Sequence, residues 1–453
     1  MIFLLIFILL ALFLANLWAN KWDFFAPPCM VSAVYLACVV LSLYNYRIWE
    51  LNTLSYKTVL LVSFGVLVFS AVGVLLEKML AKKHSEEIVL ERDLQEPDSS
   101  KSPIQIHQAV FWCAVAFQLL TVFLCVFYIL RFGRESGVTG WSNILHEFRF
   151  REFEGTAKLP EYVDQMNKLV TVFGYVYLYV FVHNLVAGCK RGWRLWILLL
   201  PVCLHLVRSF AVGNRYNMLA AVAGAVYLAY ILYETRHRWE KRLKIRHIAL
   251  LGVGVVAVLA IFVMLKSAVG RTDSISPVYY IVMYASGWVK ALDMYLCGMT
   301  EVVDIGVFGQ ETFSGLNIFL ANRGWMPMYS IDLEFCFVGE NNVGNVYGAL
   351  RRYTQDFGPV VAMLFMGGVS AFFSGLYALF KHDRRLDKEM ALILFSYMVN
   401  AMFILPMDDK FYTIFVTPGF VIYLVLFYVA YRVIIVRPER KGRFFGVQIF
   451  KNN

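Results

Sequence analysis

Long apolar runs, each about as long as a lipid bilayer is thick, recur along this chain of 453 residues. Hydrophobic residues make up 60% of the chain and charged residues only 16%, whereas soluble domains have roughly 45–50% and about 25%. The runs lie at 2–19, 28–45, 57–77, 107–130, 168–187, 194–210, 216–233, 248–266, 359–380, 389–406 and 411–432, and 278–297 is an ambiguous further one. The sequence therefore predicts an all-α polytopic membrane protein, a single integral membrane domain over 1–453 with about 11–12 transmembrane helices.

Basic residues are concentrated in a few connecting segments and in the tail. Cytoplasmic segments of membrane proteins carry an excess of Lys and Arg, so the net charge of +10 indicates membrane topology and not a nucleic-acid partner. The segments assigned to the cytoplasm are 190–194, 234–247, 381–388 and the tail 433–453, together with the mixed-charge loop 78–106. The outer face then receives 131–168, 211–215, 408–410 and a large loop at 267–358.

Segment 278–297 lies inside the large outer loop and carries charged residues at its centre. Lys290 and Asp293 would each cost about 2.5–3.5 kcal/mol at the middle of a lipid-facing helix. Their spacing places them on one helix face, where they could pair. We therefore expect an amphipathic or re-entrant helix at the outer surface and not a further span.

The chain lacks the familiar signatures of nucleotide, cofactor and metal sites. It has no Walker loop, no GxGxxG after a strand, no HExxH and no GxSxG. Most of its eight cysteines lie in apolar runs, where a thiol behaves as a small hydrophobic group. We expect no metal, no cofactor and no bridge between Cys297 and Cys336. The first apolar run has no basic n-region and no cleavage site, so we expect a span and not a signal peptide.

Arginines near the outer ends of predicted spans are the first functional candidates. His205 and Arg208 are one turn apart near the end of one span. Arg215 follows in a tight turn, and Arg271 comes just after another span. A guanidinium presents planar, paired donors that match a phosphate group. The alternative is that these side chains only reach from helix ends to the lipid headgroups.

Segment 341–358 combines amide, aromatic, cationic and acidic side chains. They are Asn345, Tyr347, Arg351, Arg352, Tyr353 and Asp356. Sugar sites use this mixture, since aromatic faces stack on apolar sugar patches while amide and charged groups bond the hydroxyls. The alternative is a surface helix that caps the bundle, in which Arg352 and Asp356 pair across one turn.

A site that acts on hydroxyl groups also needs a carboxylate to accept a proton. The outer-face carboxylates are Asp293, Glu301, Asp304, Glu311, Asp332, Glu334, Glu340, Asp356, Asp408 and Asp409. Any one of them could be a solvated loop charge, and the sequence does not rank them. Arg323, in the same loop, is a further cation that could contact a substrate.

Three short motifs follow one another in the late outer loop. They are Asn345-Val346-Tyr347, Arg351/Arg352-Tyr353 and Asp356-Phe357-Gly358, which lead into a span. Their order resembles that of the O-antigen polymerase (Wzy-type) family, also called oligosaccharide repeat unit polymerases. Weaker similarities are FGQETF at Phe308–Phe313, the Lys290–Leu296 segment and the Gly213-Asn214-Arg215 turn. One departure is Gly348, where the family often has Thr or Ser.

The resemblance implies a metal-independent glycosyltransferase in the bacterial cytoplasmic (inner) membrane, with its active site facing the periplasm or outside. Its donor and acceptor would be glycans linked to undecaprenyl diphosphate, and a flippase and a chain-length regulator would be its partners. The product would be O-antigen, capsule or exopolysaccharide. The diphosphate clamp would consist of Arg215, Arg271 and Arg351, with base or sugar contacts from Asp293, Glu311 and Asp356. Further substrate contacts are assigned to His205, Arg208, Arg323, Asn345, Tyr347, Arg352 and Tyr353.

Two other functions fit parts of the same pattern. An O-antigen ligase shares the polytopic architecture and a late outer loop, but it transfers a finished polymer to another lipid. A lipid-linked sugar flippase or transporter would place charged residues along several spans around a cavity. Here charges within the spans are few and arginines gather at the outer ends, which favours the polymerase.

Overall fold

The computed structural model describes most of the chain. The described residues are 1–90, 103–153, 156–189, 192–214, 216–237, 239, 276–300, 302, 304–329, 333–382 and 388–435. The predicted span at 248–266 and most of the basic tail lie outside these ranges.

Helices account for nearly all the regular structure of the described residues. The α-helices are α1 (Ile2–Ala19), α2 (Pro27–Ser42), α3 (Tyr56–Leu90), α4 (Gln108–Glu135), α5 (Trp141–Phe153), α6 (Glu161–Val186), α7 (Trp193–Trp196), α8 (Leu200–Ala211), α9 (Tyr216–Arg236), α10 (Pro277–Ser286), α11 (Trp288–Leu296), α12 (Ser314–Ala321), α13 (Ala349–His382), α14 (Lys388–Met398), α15 (Asn400–Phe403) and α16 (Pro418–Ile434). Short 3₁₀ turns cover Leu43–Asn45, Leu51–Thr53 and Ile197–Leu199, and a wide π-type turn covers Phe411–Phe415. Strands β1 (Cys336–Val338) and β2 (Asn341–Gly344) form an antiparallel hairpin in which Phe337 lies opposite Asn342.

Eight helical stretches of the described chain are long and apolar enough to cross a membrane. They are Ile2–Ala19, Pro27–Asn45, Tyr56–Lys82, Gln108–Glu135, Glu161–Val186, Trp193–Ala211, Tyr216–Arg236 and Ala349–His382. Each overlaps a predicted span over most of its length. The predicted all-α polytopic membrane fold is therefore confirmed.

The predicted spans 389–406 and 411–432 are both interrupted in the structure. The first divides into α14 and the single turn α15, and the second begins with the wide turn and restarts as α16. Proline fits the first turn of a helix because it has no backbone N–H to donate, and α16 begins at Pro418. Residues 404–410, between α15 and the wide turn, form no helix or strand.

The described residues form two compact units. The first contains α1–α3, α10–α13, the hairpin and residues 400–421, and the second contains α4–α9, most of α14 and residues 422–434. In the first unit α13 packs along α3, and the Ser370 hydroxyl donates to the carbonyl of Phe69. Gly358, with φ of 78°, interrupts α13 just before Pro359. The short N-terminal piece of α13 therefore runs in a different direction from the long piece.

In the second unit, α6 packs against α4, α8 and α9. Helix α5 covers neighbouring parts of α4 and α6 through an apolar cluster that includes Ile129, Leu145, Phe148 and Val163. The segment 131–168, predicted as an outer loop, thus consists of the end of α4, the helix α5 and the start of α6.

The ambiguous segment 278–297 is not one helix. It forms α10 and α11, which meet at Gly287. A Cβ at Gly287 would lie 2.3 Å from the carbonyl oxygen of Val343 in β2, so this contact requires glycine. Each helix is shorter than the roughly 17 residues that cross a bilayer, and most of α11 is buried.

Lys290 and Asp293 in α11 hold the chain that precedes α3. The Lys290 Nζ atom lies 3.4 Å from the carbonyl oxygen of Glu50. Asp293 Oδ1 accepts hydrogen bonds from the Ser55 N–H (2.8 Å) and the Thr58 hydroxyl (2.6 Å). The suggested pairing of Lys290 with Asp293 is therefore replaced by separate contacts: Lys290 with the chain before α3, and Asp293 with the first turn of α3 and the residue before it.

The two ends of the first unit carry different polar groups. At one end Lys381 Nζ lies 3.3 Å from Asp23 and 2.9 Å from Glu77, and at the other Asp293 binds Ser55. Ser55 and Glu77 lie at opposite ends of the membrane-crossing part of α3, about 30 Å apart at about 1.5 Å per residue. Glu77 and Lys381, both predicted at the cytoplasmic face, thus lie together and far from Asp293.

Replacing Lys381 with Met is expected to lower the free energy of unfolding by about 3 kcal/mol, because it removes the cation that Asp23 and Glu77 share and leaves them with the Tyr377 hydroxyl and the His382 ring. Thermal unfolding of the purified protein measures this. Lys78→Met removes an exposed lysine next to Glu77 and should change stability by less than about 0.5 kcal/mol. Equal effects of the two substitutions would contradict the structural role of Lys381.

Candidate active site

Two consecutive arginines at the start of α13 share one carboxylate. Arg351 Nη1 lies 3.2 Å from both carboxylate oxygens of Glu311, and Arg352 Nη1 lies 3.2 Å from Glu311 Oε2. The three side chains are at most 10% exposed. A buried carboxylate bonded to two guanidiniums is compensated in charge, which offsets part of the cost of desolvation.

Asp408 and Lys410 extend this group toward solvent. Arg352 Nε donates to Asp408 Oδ1 at 2.7 Å, and Lys410 Nζ lies 2.7 Å from Asp408 Oδ2. The Asp408 and Lys410 side chains are 25% and 30% exposed. We call Glu311, Arg351, Arg352, Asp408 and Lys410 the charged cluster. Its exposed members are the ones that an incoming ligand would meet first.

A glycine brings the two arginines next to residues 408–410. The N–H groups of Gly348 and Ala349 donate to the carbonyls of Met407 (3.0 Å) and Leu405 (2.9 Å). Gly348 has φ of +86°, and a Cβ there would lie 2.6 Å from the carbonyl oxygen of Pro406. Thr or Ser, common at this position in the resembled family, would be strained here. The departure at Gly348 thus has a backbone cause.

Asp356 positions the loop that carries Glu311. Its carboxylate accepts the backbone N–H groups of Glu311 (3.1 and 3.2 Å to its two oxygens) and Thr312 (2.6 Å). The suggested pairing of Arg352 with Asp356 is not found, since Arg352 bonds to Glu311 and Asp408. Asp356 therefore acts on the cluster through the backbone of its neighbour.

Aromatic rings surround Arg351. Its guanidinium carbon lies 4.5 Å from the ring centre of Tyr347 and 5.1 Å from that of Tyr295, within the distance of cation–π attraction. The Tyr347 hydroxyl donates to the carbonyl of Glu334 at 3.0 Å. Tyr347 and Tyr353 are 1% and 0% exposed, so both predicted sugar-stacking tyrosines are packed inside the protein in this conformation. The Nε of Arg351 is buried and has no partner in the described chain.

Two neighbouring carboxylates have pKa values shifted in opposite directions. Burial would raise the pKa of Asp408, but the charges of Arg352 and Lys410 outweigh burial and hold it below its usual range. Burial and the nearby charge of Asp408 raise the pKa of Asp409 from 3.8 to about 6. Asp409 Oδ1 accepts the N–H of Phe411 at 2.8 Å, which starts the wide turn. Asp408 is thus ionised at neutral pH, while Asp409 is the carboxylate that titrates near pH 6.

The raised pKa of Asp409 makes stability depend on pH. The folded state binds this proton more tightly than the unfolded state, so the resulting stability is full below about pH 4 and is lost as pH rises through about 6. The loss is about 3 kcal/mol at most, since one pKa unit corresponds to about 1.4 kcal/mol. Asp409→Asn should remove this decline, as measured by thermal unfolding between pH 4 and 7. Asp304→Asn, at an exposed site, should retain it, and an identical decline in Asp409→Asn would contradict the assignment.

Asp293, predicted as catalytic, is occupied with the start of α3 (the Ser55 and Thr58 contacts above) and is 4% exposed. Asp293→Ala is expected to lower the free energy of unfolding by about 2 kcal/mol, because it removes two charge-assisted hydrogen bonds. Asp293→Asn should cost less, since its amide oxygen still accepts the Ser55 N–H. Unfolding and activity are measured together. An inactive Asp293→Asn protein of unchanged stability would support the catalytic role instead.

The remaining candidates are dispersed. Asn345 is partly exposed in a shallow depression lined by Met283, Tyr284, Phe335, Gly344 and Val346. Arg323 is exposed, and its guanidinium stacks on the Phe319 ring at 4.2 Å. His205 and Arg208 are buried in the second unit. Arg215 and Arg271, predicted for the diphosphate clamp, lie outside the described residues.

Sequence reasoning missed the importance of Asp408 and Lys410. They belong to a three-residue segment predicted at the outer face, Asp408-Asp409-Lys410, between two apolar runs. Three adjacent charges where two apolar runs meet were the available signal. The sequence could not rank Asp408 above the other nine carboxylates predicted at the outer face, because its pairing with Arg352 joins residues 56 positions apart.

The fold and the charged cluster define a polytopic α-helical membrane protein with a largely buried, charge-compensated group of arginines and carboxylates outside its continuous apolar runs. No protein-family model, no curated protein and no solved structure matches this chain.

Proposed function

We propose that this protein polymerises lipid-linked oligosaccharide repeat units at the outer face of the bacterial cytoplasmic membrane. The donor is a growing glycan on undecaprenyl diphosphate, and the acceptor is a newly delivered repeat unit on the same carrier. An acceptor hydroxyl attacks the anomeric carbon of the donor. The bond from that carbon to the diphosphate oxygen breaks, and the lipid diphosphate leaves with the electron pair while a carboxylate takes the hydroxyl proton.

The charged cluster is the observation that carries this proposal. A diphosphate leaving group develops negative charge, and fixed cationic donors in a dry site stabilise that charge strongly. Glu311 and Asp408 hold the Arg352 guanidinium in place before any ligand arrives. The partly exposed Lys410 adds a second cation. Both cations are bonded to Asp408, so the substrate does not have to order them.

Asp408 is the carboxylate that we assign as the proton acceptor. It is the more exposed of the two carboxylates in the cluster, but its pairing with Arg352 and Lys410 makes it a weak base. A bound diphosphate would compete for the same two cations. Loss of these partners beside a new anion raises the pKa of Asp408, so it becomes a better base when the donor is bound.

An exposed aromatic surface adjoins Glu311. Phe308 is 77% exposed, stacks on Phe313 with ring centres 6.2 Å apart, and meets the edge of Phe357 at 5.2 Å. Aromatic faces of this kind can receive either the apolar face of a sugar ring or a prenyl chain. This surface supports a glycan-lipid substrate next to Glu311.

The test is complementation of a strain that lacks this gene, with lipid-linked glycans resolved by size. Arg352→Gln and Asp408→Asn should leave single repeat units and reduce polymer by about 100-fold or more, because each removes a group that acts on developing charge. Arg352→Lys should recover part of the polymer, since it keeps the charge but loses the paired geometry. Protein amounts are matched by immunoblot.

Arg47→Gln is the control, since Arg47 is an exposed arginine of the same unit, before α3, and should support a full ladder. Long polymer that stays on its lipid carrier in the deletion strain would contradict the polymerase and indicate a ligase. An unchanged ladder in the deletion strain, in the absence of a second polymerase, would exclude both transferases.

A further inference from the structure

Arg208 is a buried cation of the second unit that has no carboxylate partner. Its side chain is 7% exposed, and its one hydrogen bond runs from Nη2 to the Thr171 hydroxyl at 2.6 Å. Its Nε is buried without a partner. Across the described ranges no carboxylate lies within ion-pair distance of Arg208, and Asp164 acts on it only from farther away. Arg351 and Arg352, which are equally buried, each have such a partner.

An uncompensated guanidinium in a protein interior is costly. Buried charges are normally paired, because a hydroxyl alone replaces little of the hydration that a cation loses on burial. Arginine cannot escape this cost by losing its proton. The missing partner is therefore best supplied from outside the described part of the chain, by an anion that binds beside Thr171.

A second unpartnered polar side chain lies one turn away on the same helix. His205 is 1% exposed, and neither of its ring nitrogens has a hydrogen-bond partner in the described chain. Buried polar groups in this condition are rare in folded proteins. Its ring centre is 5.8 Å from that of Tyr175. Two unsatisfied polar groups on one face of α8 indicate a ligand site more strongly than either group alone.

The position of Arg208 fits a lipid phosphate. It lies in the last turn of α8, three residues before the helix ends at Ala211, about 5 Å along the helix axis. The headgroup regions of a bilayer begin where the hydrocarbon core of about 30 Å ends. A residue in the last turn of a membrane-crossing helix is therefore close to the level of the phosphates.

We propose that Arg208 is the centre of a binding site for the phosphate group of a membrane lipid, in which the Thr171 hydroxyl, itself bonded to the Asn167 carbonyl, orients the guanidinium and the His205 ring supplies a neutral hydrogen bond. The guanidinium pairs with two phosphate oxygens through charge-assisted hydrogen bonds. The phosphate can come from an anionic phospholipid of the bilayer or from a prenyl diphosphate. The site uses none of the residues of the charged cluster. A prenyl diphosphate bound here is the substrate contact that the resemblance implies for His205 and Arg208, and that arm rests on the proposed function, whereas a bilayer phospholipid does not.

The test uses the full-length protein purified in a maltoside detergent, which contains no phosphate. Dioleoylphosphatidylglycerol, farnesyl diphosphate and the uncharged dioleoylglycerol are added in turn, and bound molecules and Tm are measured by native mass spectrometry and thermal unfolding. Wild type should bind at least one phosphate-bearing probe and gain Tm. Arg208→Met should bind it about 10-fold more weakly or worse, while Arg194→Gln, at an exposed arginine in the first turns of the same membrane-crossing stretch, should bind normally.

Stability without lipid separates a binding site from a structural arginine. Arg208→Met removes an uncompensated buried charge and keeps a similar volume, so its Tm without added lipid should equal or exceed that of wild type. A response to phosphatidylglycerol alone identifies a bilayer lipid as the source, and a response to farnesyl diphosphate alone identifies a prenyl diphosphate. A lower Tm of Arg208→Met at every lipid concentration, or probe binding that is unchanged by Arg208→Met, would overturn the proposal.

Discussion

Charge compensation around Glu311 is the constraint on which the candidate site of the first unit depends. One carboxylate holds the two arginines of α13, and Asp408 joins them to Lys410. A lone buried charge costs several kcal/mol, so these three stretches of chain are stable at this position only as a group. The contacts of Asp356 and Gly348 serve this requirement, because they fix the backbones that carry the charged side chains.

The membrane-crossing helices could be predicted from the sequence because hydropathy is a local property. Within lipid each helix must satisfy its own backbone hydrogen bonds, so an apolar run of sufficient length determines its own structure. The interrupted segments near 389–432 show the limit of this rule. Their helices break at Pro418 and around Asp409, where proline and a side-chain acceptor outweigh the average hydropathy.

The candidate site could be predicted only in part, because chemistry and structure call on the same residue types. Asp293 and Asp356 looked suited to catalysis, yet both accept backbone N–H groups where the chain is irregular. A carboxylate is the strongest acceptor for a backbone N–H group. Asp and Glu in an apolar chain therefore often bind N–H groups that lack a partner within a helix. Tyr347 and Tyr353 are buried for a related reason: one stacks on Arg351 and the other on Phe365.

The packing of α13 along α3 has a consequence for biogenesis. The Ser370 hydroxyl and the Phe69 carbonyl that it binds are separated by 301 residues. At about 5–20 residues per second, a ribosome needs roughly 15–60 s to make the intervening chain. During this time α3 sits in the membrane without its main partner helix, and polar groups such as Asn16 and Ser70 bond only within α1–α3. Nascent chains of this protein are therefore expected to depend on membrane insertion chaperones until α13 arrives.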